Sequence, residues 1–454
     1  MKEFVHSLFR GNWISTLIIV VFAWNALHQV DRLGRWRASD VLGWDVESYY
    51  HYLPATFIHG DPFDLSYVAA LDSLLHPDGS HSRFGIQTHP TTHRDVIKFS
   101  CGTALFELPF FLVAHAFTLA TDPQHADGYS PPYQLAVCLS TVLFVTWGLF
   151  LLRGFLLRHV PDRDASVALF AIALGTNLFF YASNTCGMSH GYLFFLFAAI
   201  LYLTDKWHRA PRACTAAWLG VSLGLTLLVR PVDALVVVVP LLWRHNANGK
   251  WTSTITLLRT RPRDLLVATG CALVVCVPQL IYWKLATGDI LFYSYQEEGF
   301  DFSSPHIIEG LFSYKKGWLV YSPLVALGLL GLLVMLFDRR SRPYALPVIV
   351  FLPLMCYVVF SWHLWWYGGS FGCRPMISAL ALLALPIALL SASAFKKHWA
   401  LGAALVLVVV CGVRLNLFQQ RQYEQNIIHW EAMTRERYWE VFGVDSWDHL
   451  TPFP

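Results

Sequence analysis

Gly43-Trp44-Asp45-Val46-Glu47-Ser48-Tyr49-Tyr50-His51-Tyr52 is a polar and aromatic island in a greasy chain. It lies in a stretch, 31–100, that also holds five further histidines and several basic residues. One apolar run, Trp13 to Val30, precedes it, and about ten more follow. Leu135 to Leu152, Ala213 to Val229, Leu265 to Leu285, Leu319 to Phe337 and Trp399 to Leu415 are among them. Each is long enough to cross roughly 30 Å of hydrocarbon. The island therefore belongs to a loop between the first two spans, and at this length the loop is more than a connector.

The 454 residues are 55% hydrophobic, 15% aromatic and only 14% charged. Soluble domains carry about 25% charge. The apolar runs are greasy on all faces, which excludes a soluble bundle of amphipathic helices. The expected fold is an all-α polytopic membrane protein of about 10–12 transmembrane helices. It is read as a single domain, 1–454, with a first outer loop at 31–100, a second at 284–316 and a short outer tail at 417–454. Helix-like pieces at Asp45 to His59 and Asp64 to Leu75 are expected to lie flat at the membrane surface. The first span follows Lys2 and Arg10 without a small-residue cleavage site, so it reads as an uncleaved anchor.

Net charge is +3, and its distribution says more than its size. Basic residues gather in short loops at Lys206 to Arg212, Arg244 to Arg263, Arg339 to Arg342 and Lys396-Lys397, which the positive-inside rule puts in the cytoplasm. The connections between them, with the loop at 31–100, then face outward. Counting crossings leaves a parity problem. Three apolar segments, 101–120, 133–152 and 165–182, separate the first loop from Asn184 to His190. Either one of the three fails to cross, which puts both on one side, or Arg153, Arg158 and Arg163 break the positive-inside rule; the first is the expectation. Nine scattered cysteines imply neither a zinc site nor a disulfide framework. No glycine loop has the strand–helix setting of a phosphate loop.

Several residue types point to chemistry. Asp45 and Glu47 follow the first span closely, and a carboxylate there can act as a general base. His51 shares their island. Arg94 and Lys98, four apart, suit a phosphate held at membrane level if helical. Glu107 lies inside an apolar run, where an acid faces a cavity or a partner; Arg94 or Lys98 is the expected partner. Asn184 and His190 sit at the mouth of two spans. Arg230 forms a charged corner with Asp233. Tyr314, Lys315 and Lys316 end the second outer segment, where adjacent lysines suit an anionic head group. Trp366 precedes Arg374 in a glycine-rich turn whose aromatic faces can stack on sugar rings or form an interfacial belt. The spacing supports no metal site, and a divalent ion is an option only for the carboxylates.

A first span, a long outer loop opening with an acidic motif, and many further spans resemble the GT-C superfamily of membrane glycosyltransferases. Gly43 to His51, Asn177 to His190, Leu311 to Pro323 and Trp366 to Arg374 carry the likeness. They come nearest to the bacterial protein-mannosyltransferase and lipid A aminoarabinose-transferase type. The resemblance implies an inner-membrane enzyme that takes a sugar from a polyprenyl-phosphate donor, with inversion, to a lipid, glycan or protein acceptor on the extracytoplasmic side. By position, Asp45 resembles the acid that acts as base or orients the acceptor. Lys315, Arg374 and Arg94 would hold the donor phosphate. The chain departs from the pattern in having Asp-Val-Glu for adjacent acids, and Asn184 to His190 for a second acidic motif. No cofactor and no nucleic-acid partner is expected. A transporter or flippase of a lipid-linked glycan, and a surface-polysaccharide polymerase or ligase, are the alternatives.

Overall fold

The computed structural model describes residues 12–75, 84–247 and 250–448. Lys2, Arg10, His76, His81 and the turn Pro77-Asp78-Gly79 lie outside them. In chain order the elements are α1 (Trp13–Leu33), α2 (Asp45–Tyr50), a hairpin of β1 (Ile86–Thr88) and β2 (Asp95–Ile97), α3 (Gly102–Thr121), α4 (Pro131–Leu156), α5 (Asp162–Leu174), α6 (Leu178–Ser183), α7 (Ser189–Arg209) and α8 (Ala213–Val229). After the 3-10 turn Pro231–Val237 come α9 (Val238–Leu242), a hairpin of β3 (Arg244–Ala247) and β4 (Lys250–Ser253), and α10 (Pro262–Thr287). The chain closes with α11 (Ile307–Phe312), α12 (Trp318–Tyr321), α13 (Val325–Phe337), α14 (Arg342–Phe360), α15 (Leu380–Lys397), α16 (Trp399–Glu424) and α17 (Arg435–Glu440). Seven of these helices, α1, α3, α4, α10, α14, α15 and α16, are long and apolar enough to cross a membrane. The protein is an all-α polytopic membrane protein.

The bundle has two chemically different ends. At one, buried acids are each held by arginine or a hydroxyl. Ser15 donates to Asp162. Arg163 meets Asp164 at 3.1 Å, Arg158 and Arg209 meet Asp205 at 3.0 and 2.9 Å, and Arg261 meets Asp264 at 3.4 Å. A carboxylate taken out of water needs such a partner. The basic loops gather at this end. At the other end Arg32, closing α1, holds Glu424, closing α16, at 2.7 Å.

One segment decides how the chain threads these ends. Cys101, just before α3, donates to Gln279 of α10 at 2.7 Å, and Ser100 donates to the carbonyl of Leu228. After α3, His51 meets Tyr129 at 3.0 Å, and Gln134 accepts from the backbone of Val41 at 2.7 Å. Both ends of α3 therefore lie toward the Glu424 end, and α3 does not reverse the chain. The parity problem resolves on this segment, and Arg153, Arg158 and Arg163 stay at the basic end.

The loop pieces differ from expectation. α2 does not lie on a surface: Val46, Glu47, Ser48, Tyr49 and Tyr50 are all buried, packed under α3 and the loop that follows it. The aromatic run is a plug, because Tyr50 finds a buried acceptor in Gly128 and Tyr52 one in Phe99 at 2.8 Å. Arg94 and Lys98 are not on a helix. They flank β2, so they share no helical face. Arg94 donates to the end of α10 at Leu285, and Lys98 pairs with Glu298 at 2.5 Å. Glu107 takes neither as partner; it accepts from Tyr192 of α7 at 3.2 Å. α10 runs to Thr287, inside the expected second loop, and α16 runs to Glu424, inside the expected tail.

Close helix contact positions the site. Gly220 and Gly224 of α8 face Ala268 and Ala272 of α10 so tightly that a Cβ on either would fall within 2.7 Å of backbone. Small residues four apart let two backbones approach where hydrocarbon offers no driving force of its own. This fixes Gln279 and Tyr282 of α10 under the first loop.

A cysteine placed at Ala126, after α3, is expected to label from the same side of the membrane as one at Ser303. One at Arg340 should label from the opposite side. Labelling of Ala126 together with Arg340 would show that α3 crosses.

Candidate active site

Asp45 begins α2 and is the second central residue of a turn closed by the Val46 N–H donating to Gly43 at 3.2 Å. Trp44 occupies that turn at φ 54 and ψ −128, the first central position of a type II′ turn. Glycine is the usual occupant, and a bulky residue there stores about 1–3 kcal/mol of strain. The turn aims Asp45 inward. There Arg374 Nη2 meets Asp45 Oδ2 at 2.9 Å, with side-chain exposures of only 15% and 17%. Asp45 and Arg374 are 329 positions apart in sequence and come from the first and the last outer loops.

Arg374 is only partly engaged. Its Nη1 meets the sulfur of Met188 at 3.9 Å, and its Nε is a buried donor without a partner among the described residues. Asp45 Oδ1 likewise has no hydrogen bond among them. Burial works against the charge on Arg374, but the Asp45 carboxylate offsets it and holds the pKa above the ordinary arginine value.

Two more cations converge. Arg230 meets Asp233 at 3.4 Å and lies over the Tyr367 ring at 5.2 Å. Lys316 is buried, donates to the carbonyl of Ser370 and lies 5.5 Å over Tyr423. Burial, then Arg374 and Lys315, push the Lys316 amine down to about 7. His190, at the start of α7, is close enough to feel both Arg230 and Arg374, and it packs edge-on to Tyr181 at 5.7 Å. Tyr49 meets Ser189 at 3.4 Å. Burial, then the Asp45 charge, raises its phenol above the usual range and keeps it a neutral donor.

A lid covers this group. Lys98 pairs with Glu298 and lies 5.0 Å over Tyr295, while Ser294 donates to the carbonyl of Lys98. Asp301 N donates to Ser361 at 2.7 Å and His363 N to Gly299 at 3.1 Å. Tyr295 thereby comes within the field of Asp45, Arg230 and Tyr49.

The structure thus brings together Asp45, Arg374, Arg230, Lys316 and His190. Lys315 sits at the rim, paired with Glu431 at 3.3 Å and 3.9 Å over Trp366. Tyr314 is also on the rim, bonded to Trp439 at 3.2 Å. Others stand apart. Glu47, two residues past Asp45, is on another face of α2, toward Tyr67 and Tyr129. His51 bonds Tyr129, and burial pushes its imidazole down to about 3, so it is neutral. Asn184 is a strut, donating to Glu424 and accepting from Ser183 at 2.9 Å. Tyr181 and Tyr295 are not legible as site residues in the sequence: tyrosines among apolar runs are commonplace, and only the fold aims these two. A cavity of about 740 Å³ between α3 and α4 is apolar, lined by Trp36, Phe110, Phe117 and Leu139, and is not part of this site. The described residues hold no group of three metal-ligating side chains.

No protein-family model and no curated protein matches the chain. Among solved structures it is similar to the oligosaccharyltransferase of Archaeoglobus fulgidus in the apo form. That alignment has a TM-score of 0.50 at 13% identity, over 99% of this chain and 62% of the other. The chain shares the overall fold of that archaeal enzyme. A second structure of the same enzyme, tethered to an acceptor peptide containing the NVT sequon, aligns with a TM-score of 0.47 at 15% identity, over 91% of this chain and 55% of that one. A third, in complex with Zn and sulfate, gives 0.47 and 15% over 96% and 59%. The chain spans about three-fifths of the archaeal enzyme's length, and the likeness is one of fold.

Gly372, two residues before Arg374, has φ +61, and a Cβ there would fall 2.9 Å from that of Tyr321. Gly372→Ala is expected to destabilise the protein by about 1–3 kcal/mol. The check is a lowered apparent Tm in detergent; an unchanged Tm would remove the left-handed turn as the device that aims Arg374.

Proposed function

We propose that the protein is an integral membrane glycosyltransferase that moves a sugar from a polyprenyl-phosphate donor to an acceptor hydroxyl or amine, with inversion. The observation that carries this reading is the Arg374 guanidinium. It is enclosed, holds Asp45 with one nitrogen, and keeps a buried N–H without a partner among the described residues. A buried unpartnered donor is costly, and a phosphate oxygen is the acceptor that a guanidinium fork fits best. The GT-C fold, shared with an oligosaccharyltransferase, supports the same class. The basic end of the bundle belongs in the cytoplasm by the positive-inside rule, which puts Asp45 on the extracytoplasmic face. A bacterial inner membrane suits that arrangement.

In the proposed step Asp45 Oδ1 takes the proton of the acceptor O–H or N–H. The acceptor atom forms its bond to the anomeric carbon from the face opposite the phosphate. The bond from that carbon to the phosphate oxygen breaks, and the pair leaves on the phosphate. Arg374, Lys316 and Arg230 meet the growing charge as fixed cations in a site of low dielectric. Tyr49, buried, and Tyr295, half-buried, limit water at the reacting carbon. The charge on the leaving group is met here by the chain's own cations.

Asp45→Asn keeps the shape and removes the base. Transfer of labelled sugar from a polyprenyl-phosphate donor is expected to fall by about 10²-fold or more, with donor still bound. A flippase of lipid-linked glycan would move substrate normally with this variant, and normal activity would favour that reading.

Lys316 gives a pH signature. Below about 7 its amine is charged and attracts the donor phosphate; above, it is neutral. Donor affinity of the free enzyme is expected to weaken as pH rises through 7, and Lys316→Met should flatten the profile. A Met variant with the parent's pH dependence would take Lys316 out of the phosphate site.

A further inference from the structure

The rim of the site carries tryptophans that the transfer step does not use. Trp430 lies over the glycine turn: a Cβ added to Gly369 would sit 3.8 Å from its indole. It stacks beside His429 at 5.6 Å between centroids. The next residue, Glu431, holds Lys315 at 3.3 Å, and Lys315 lies 3.9 Å over Trp366. One residue back, Tyr314 accepts the Trp439 N–H at 3.2 Å, and Trp439 continues to Phe442 at 5.2 Å. These groups form one ribbon from Trp366, eight residues before Arg374, out to Phe442.

The ribbon is exposed yet fixed. Trp430 is 44% exposed, Trp439 56% and Phe442 46%. The tail that carries them is tied down: Gln422 donates to Val441 and Val444 at 2.7 Å each, and Gln419 to Tyr438 at 2.7 Å. Contiguous apolar surface held in one orientation marks a binding face. A lipid head-group belt is the common use of such tryptophans. Here, however, the segment 425–448 has five carboxylates, Glu431, Glu436, Glu440, Asp445 and Asp448, against Arg435 and Arg437. That balance is repelled by an anionic membrane surface. Indole faces beside carboxylates fit a sugar ring instead: the C–H face stacks on the indole, and the hydroxyls donate to the carboxylates.

We propose that this ribbon is the acceptor site and that the acceptor is a saccharide chain, neutral or bearing amino sugars, fed along Trp439, Trp430 and Trp366 toward Asp45. The proposal rests on the transferase reading above and names its acceptor class. The ribbon's continuity with the site, through Lys315 and Lys316, selects a substrate over a remote partner.

The test is a glycan array of neutral, amino-sugar and acidic oligosaccharides, probed with the full-length protein in detergent, without donor. Neutral or amino-sugar chains are expected to bind, and Trp430→Ala and Trp439→Ala should each weaken binding by about tenfold or more. Trp430→Phe and Trp439→Phe, which keep an aromatic face, should retain most of it and control for misfolding. No indole-dependent glycan binding, or a preference for acidic chains, would overturn the proposal. So would alanine variants that leave glycan binding intact and lose only partition into phosphatidylglycerol vesicles. Binding of polyprenyl-phosphate sugar is measured on the same samples: its loss in the unaltered protein counts against the transferase reading, whereas an empty array with donor bound counts against the saccharide acceptor alone.

Discussion

The contact between Arg374 and Asp45 is the constraint on which the rest of the site depends. A carboxylate and a guanidinium both largely withdrawn from water are stable only together. Asp45 arrives on a strained turn after the first helix, and Arg374 on a left-handed glycine turn before α15. The outer loops at the two extremes of the chain are thereby tied across one recess. Arg230 and Lys316 could not be brought beside Arg374 at acceptable cost without that negative charge and their own partners, Asp233 and the Ser370 carbonyl.

The same logic recurs at the opposite end, where Asp162, Asp164, Asp205 and Asp264 are each buried and each held by at least one arginine or hydroxyl. There the acids take up nearly all the donors offered to them, and the result is a set of struts. At the recess the pair is left open: among the described residues Arg374 keeps a spare buried N–H and Asp45 a spare oxygen. Unused capacity on both partners of one enclosed ion pair leaves room for a ligand between them.

Much of the architecture was legible in the sequence because crossing a bilayer demands unbroken apolar runs, which survive without any knowledge of packing. The loop at 31–100 stood out for the same reason in reverse. Asp45, Arg374, Arg230 and Lys316 could be singled out because charge next to a span is costly. The plug made by α2 could not, since alternating aromatic and polar residues read equally well as a surface helix. Arg94 and Lys98 suggested a helical face through their spacing alone, and the β2 hairpin removed that geometry. Glu47 and His51 looked like neighbours of Asp45 in sequence, yet a helix turns them toward Tyr129. Tyr295 and Tyr181 gave no signal, because their role comes wholly from contacts made across the chain.

The orientation of α3 has a consequence for how the protein is made. The two residues that lead into it are seated by partners made later: Cys101 by Gln279, which leaves the ribosome 178 residues after it, and Ser100 by Leu228 of α8. When α3 emerges, neither partner exists. This apolar segment must wait, unseated, while most of the bundle is synthesised and inserted. Its docking is a late, lateral step of biogenesis. Because α2 packs beneath it, the recess that holds Asp45 closes only when the far half of the chain is in place.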